Sequence, residues 1–152
     1  DIFYKYLQTG EYNPRPSVQT IANAMDVGNP SNFVRVLDLY GKSLNEIKRD
    51  ISGEWYNDDC IKKIVKATYD ETGYLLDPHG ACGYQALKDE LQPGEKGVFL
   101  ETAHPAKFLE TVESIIGRQV AIPEKLQAFM KGEKQSVDMS KEFADFKQYL
   151  LK

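Results

Sequence analysis

No apolar run in this sequence approaches the ~18 residues that a membrane-spanning helix needs, and its first residues lack the charged-then-apolar layout of a secretory leader. An intracellular, cytoplasmic protein is therefore expected. Cysteine is scarce, at positions 60 and 82 only, and the two histidines stand at 79 and 104. Two cysteines on helix-patterned segments exclude a disulfide framework, so buried free thiols are expected. Cys60, His79, Cys82 and His104 are ligands of the right type for zinc. Only His79 and Cys82 are close in sequence, however, and no metal is assigned. Basic blocks are absent too: Lys62, Lys63 and Lys66 are interrupted by Ile61, Ile64 and Val65, and the formal net charge is -4. That pattern describes a solvated helix face and excludes an electrostatic nucleic-acid footprint. No repeat of solenoid period occurs.

What remains is ordinary globular usage, with 41% hydrophobic and 28% charged residues among 152. One compact unit over 1–152 is expected from that length. Pro14 and Pro16 mark an extended connection. Gly28 then punctuates the chain, Asn29 can cap a helix, and Pro30 suits its first turn. Phe33, Val36, Leu37 and Tyr40 follow at helical spacing. A second helix is predicted from Ser43 to Asp50. A third starts at Asn57, Asp58 and Asp59, buries Ile61, Ile64, Val65 and Thr68, and ends at Gly73.

Two later segments share one plan. Tyr74–Leu76 leads into Asp77-Pro78-His79 and then a helical run with Tyr84, Leu87 and Leu91. Val98–Leu100 leads into Glu101–His104 and then Phe108, Leu109, Val112, Ile115 and Ile116. Strand, polar loop and helix, twice over, predict an α/β arrangement of short parallel strands with surrounding helices. A further short strand is expected over 119–122, and an amphipathic helix carrying Phe143, Phe146 and Leu150 closes the chain. In parallel sheets ligands bind beyond the carboxyl ends of the strands, so Asp77, His79, Thr102 and His104 should share one rim. Thr102 and His104 could instead cap the helix opened by Pro105.

The stretches "NAMDVGNPSNF", "GYLLDPHGACGYQAL" and "LETAHPAKF", in this order, resemble the C-terminal portion of the threonine synthase family. These are pyridoxal-phosphate enzymes of fold type II, the tryptophan-synthase-β-like fold. The resemblance implies that 1–152 is the C-terminal portion of a larger enzyme. The cofactor-linking lysine and phosphate-cradling loop would belong to a missing N-terminal part, leaving this portion inactive alone and the catalytic residues unassigned. The implied reaction of the full enzyme converts O-phospho-L-homoserine and water to L-threonine and phosphate.

By the same resemblance, Thr102 is the hydroxyl partner of the cofactor's pyridine nitrogen. Asp26, Asn29, Ser31, Asn32, His79 and His104 line the substrate site. Lys107, on the first turn after Pro105, reads as a solvated or ion-paired helix side chain, with a rim charge as the intermediate reading, rather than as the cofactor lysine. Gly80 departs from the family pattern, which more often has a larger residue after the histidine, and it is expected to loosen the loop. Two further readings fit the same residues: a binding or regulatory module derived from this fold, and a related lyase acting on another amino acid.

Overall fold

Side-chain caps set several helix boundaries in the computed structural model, which describes residues 1–151. Asn57 Oδ1 accepts the Cys60 N–H at 2.9 Å and starts α4, Asp58–Thr72, which Gly73 ends at φ 73°. Glycine adopts that left-handed conformation without the steric cost an L side chain pays. Ser43 caps α3, Leu44–Asp50, by accepting the Glu46 N–H. Both helices keep the boundaries expected from sequence. α1, Ile2–Thr9, ends at Gly10. α2, Phe33–Leu39, starts later than Asn29 and Pro30 predict. The Pro30 carbonyl accepts the Phe33 N–H at 3.1 Å, which spends Pro30 on a turn ahead of the helix.

α5, Pro78–Glu90, opens with proline at its start, where the missing N–H is not needed. Pro105–Phe108 forms a 3₁₀ turn that passes into α6, Leu109–Ile116. The last helices are α7, Glu124–Met130, and α8, Phe143–Leu150.

The strands expected at 74–76, 98–100 and 119–122 are not formed among the described residues. A strand exists only through a backbone ladder with a neighbour, and no backbone hydrogen bond joins the first two segments there. The second keeps the alternation of an extended chain all the same: Phe99 packs on the core, while Val98 and Leu100 are 86% and 78% exposed. Period-two exposure survives without its ladder. The short parallel strands are thus not confirmed among the described residues, which form helices joined by extended segments.

The chain packs as two units, Asp1–Val120 and Ala121–Lys152. In the first unit, Ile61, Val65, Leu76, Ala81 and Ile116 form one apolar cluster, and α4 packs against α5 and α6. Tyr6, Leu7, Phe33 and Ile47 form another. Ile47, Val65, Leu76 and Val112 are wholly buried, each stabilising by roughly 1.5–3 kcal/mol relative to exposure. In the second unit neither α7 nor α8 buries a residue.

Candidate active site

Asp77 has no solvent exposure and caps α5. Its Oδ1 accepts the His79 N–H at 2.8 Å, and Oδ2 accepts the Gly80 N–H at 3.4 Å. Oδ1 also lies 2.6 Å from His79 Nδ1. A proton on Nδ1 satisfies that contact and fixes the imidazole, the orienting role a carboxylate plays beside a working histidine. The ring then presents Nε2, which is buried and has no partner among the described residues. Phe108, at the end of the 3₁₀ turn, meets the same ring edge-on at 5.0 Å.

Glu101 completes the group. Its Oε1 accepts the Asp77 N–H at 3.1 Å, and Oε2 is buried without a partner. Burial, reinforced by the hydrogen bond and charge of Asp77, pushes the Glu101 carboxyl up to about 7. Burial also works against charge on Asp77, but hydrogen bonds with Glu101 and His79 outweigh it and hold Asp77 below the usual carboxylate range. Below about pH 7 Asp77 carries the charge and Glu101 keeps its proton.

Gly80 makes this possible. A Cβ there would lie within 2.5 Å of Glu101 Cδ. The expected looseness at Gly80 is corrected accordingly: the residue is buried inside α5, and its missing side chain gives Glu101 its seat. Nothing in the sequence around Glu101 marks it as a buried acid. The available signal was a glycine early in a helix, opposite an acidic residue in the other of two matching loops.

His104 takes the capping alternative, its Nδ1 accepting the Ala106 N–H at 3.1 Å. Thr102 does not cap; it is exposed and makes no side-chain hydrogen bond among the described residues. Lys107 is exposed on the same turn. The structure thus brings Asp77 and His79 together with the segment that carries Thr102 and His104.

The earlier loop is organised separately. Asp26 braces Thr20, accepting its N–H at 2.7 Å and its hydroxyl at 2.6 Å, and it lines a cleft of about 520 Å³ with Arg15, Trp55 and Asn57. Asn29 Oδ1 accepts the Tyr12 hydroxyl at 2.9 Å, while Ser31 and Asn32 are exposed. Among the described residues no hydrogen bond joins this loop to the Asp77 group. Cys60 and Cys82 are free thiols, and no three histidine, cysteine or acidic side chains there gather as a metal site. No described helix is long and apolar enough to cross a membrane.

Residues 80–150 match the family model described as "Threonine synthase, C-terminal". The threonine synthase of Haemophilus influenzae is 41% identical over all 152 residues, which cover 35% of that relative. The crystal structure of threonine synthase from Escherichia coli superposes with a TM-score of 0.83 at 34% identity, over 99% of this chain and 35% of that one. In sequence and in fold the chain is similar to the C-terminal portion of threonine synthases. A pyridoxal-phosphate-bound threonine synthase from Brucella melitensis matches 99% of the chain with a TM-score of 0.82 at 25% identity. The chain spans about 35% of the length of these curated threonine synthases, and its fold matches part of theirs.

Proposed function

We propose that the chain supplies one wall of a threonine synthase active site, in a cytoplasmic enzyme that converts O-phospho-L-homoserine and water to L-threonine and phosphate. The supporting observation is the match of essentially the whole chain to threonine synthases, in sequence and in fold, at 41% identity and a TM-score of 0.83. The cofactor-linking lysine belongs to the remaining length of the enzyme in this reading. Lys107 is a rim charge.

The residues present fit pyridoxal phosphate, because Thr102 offers an exposed hydroxyl with no side-chain bond of its own. That hydroxyl would hold the pyridine nitrogen as a neutral partner. Bound there, the cofactor supplies an electron sink for the carbanions formed when protons leave the substrate. His79, held through Nδ1 by Asp77, keeps Nε2 as the atom that takes or returns a proton. His104 spends Nδ1 on the Ala106 amide, so its Nε2 is the atom that can meet a substrate phosphate. Ser31 and Asn32 offer a hydroxyl and an amide to the same anion, with Asn29 held to Tyr12 and Asp26 to Thr20 as supports for that loop.

The test is phosphate release from O-phospho-L-homoserine by the full-length protein carrying this sequence, loaded with pyridoxal phosphate. Threonine should form in equal amount. Silence from a folded, cofactor-loaded protein overturns the reading. Thr102→Val should shift the cofactor's absorption and lower turnover about tenfold, as loss of one hydrogen bond worth about 1 kcal/mol or slightly more implies. Unchanged spectrum and turnover would remove Thr102 from the cofactor site.

A further inference from the structure

Glu101 immediately precedes Thr102 and reaches back across the chain to the start of α5. Three observations fix it there. Its Oε1 accepts the Asp77 amide hydrogen at 3.1 Å. Its carboxyl group occupies the space that any side chain on residue 80 would need. Its Oε2 is buried with no partner among the described residues, a position that is costly for an ionised oxygen and tolerable for a neutral carboxyl group.

We propose that Glu101 is a positioning residue: in its neutral form it clamps segment 101–104 onto the N-terminus of α5 and thereby sets where Thr102 and His104 stand relative to His79. The inference rests on the threonine synthase reading for what is being positioned, but the clamp itself is a property of this chain. The ionisable group facing it is Asp77 at the start of α5, whose other side is held by His79. The Pro105–Phe108 turn contributes the apolar Phe108 ring against His79, and Lys107 on that turn is exposed.

Ionising Glu101 would set a second negative charge beside the buried Asp77 carboxylate, so the clamp weakens as pH rises. Glutamine keeps an oxygen to accept the Asp77 N–H and cannot ionise. Alanine removes the contact altogether.

The experiment compares wild type, Glu101→Gln and Glu101→Ala in the full-length, cofactor-loaded protein. Two quantities are followed between pH 6 and about pH 8.5, a window bracketing the Glu101 value of about 7: phosphate release, and amide exchange over 74–80 and 101–108, corrected for intrinsic exchange. In wild type, protection of the Asp77 amide should fall through about pH 7 and turnover should fall with it. Glu101→Gln should hold both level across the range. Glu101→Ala should lose the protection at every pH and cost about tenfold to a hundredfold in turnover, the penalty of a misplaced group.

A protected Asp77 amide in Glu101→Ala, or a Glu101→Gln profile that follows wild type, overturns the clamp. Absence of phosphate release in all three proteins overturns the enzyme reading instead, and the exchange data still decide the clamp. If Glu101→Ala fails to fold, the comparison of wild type with Glu101→Gln carries the decision.

Discussion

Gly28→Ala is expected to destabilise the first unit by about 3 kcal/mol or more, the upper range for forced overpacking. A Cβ on Gly28 would overlap the Arg15 carbonyl oxygen and come within 2.9 Å of the Arg15 carbonyl carbon and the Pro16 carbonyl oxygen. All three atoms are backbone, so no rotamer change relieves the clash. Moving the segments apart would break the Arg15 N–H bond to the Gly28 carbonyl at 2.9 Å and the Gly28 N–H bond to Ser17 Oγ at 3.2 Å. Gly53 supplies the control, because a Cβ there meets a Leu7 methyl group at 3.1 Å, the end of a movable side chain, and Phe3 Cδ1 at an ordinary 3.9 Å. Urea unfolding should show a lower midpoint for Gly28→Ala at an unchanged slope, with Gly53→Ala close to wild type. An unchanged midpoint for Gly28→Ala would mean the two segments do not approach so closely in solution.

Asp77→Ala should cost about 2–4 kcal/mol. A helix cap contributes roughly 0.5–2 kcal/mol, and leaving a buried polar group such as His79 Nδ1 unpaired adds about 1–3 kcal/mol. Asp77→Asn keeps an oxygen for the cap and gives up the charge, so its loss should be smaller. Their pH dependences separate the two contributions. Because the Asp77 carboxyl is held below its usual value of 3.8, the stability it confers is present above that value and lost as pH falls through the lowered one. The gap between wild type and Asp77→Asn should therefore close in acid. Glu101 has the opposite sign: its carboxyl is raised from 4.5 to about 7, so its contribution is complete below the lower value and lost as pH rises through the upper. Thermal unfolding from pH 3 to about pH 8 would show both slopes, and a flat profile would dissolve the pair.

How far the fold could be read in advance depended on how far apart its partners lie. α4 was legible because Asn57, its first-turn acids and Gly73 act within one helical turn of the ends they define. The start of α2 was misplaced because Pro30 fits a turn and a first helical position equally well. The strands failed for a nonlocal reason: Val98, Phe99 and Leu100 have the alternating exposure of a strand, but a ladder partner is not encoded in the segment itself. Asp77-Pro78 suits a polar loop and the start of a helix alike, and in the structure Asp77 caps α5. For Thr102 and His104 spacing left capping and ligand contact open, and the structure divides them, with His104 capping and Thr102 not. Glu101 stayed hidden because the amide that holds it lies 24 residues earlier.

The contact between Gly80 and Glu101 makes the two positions an epistatic couple. In a helix interior alanine normally outperforms glycine by about 1 kcal/mol, so the glycine is conditional on its neighbour. Shortening residue 101 should convert Gly80→Ala from a harmful change to a tolerated or favourable one, a sign reversal that a double-mutant cycle reads directly. Among threonine synthases, a side chain at the position of Gly80 should then travel with a smaller residue at the position of Glu101, and a drifting lineage would have to change 101 before 80.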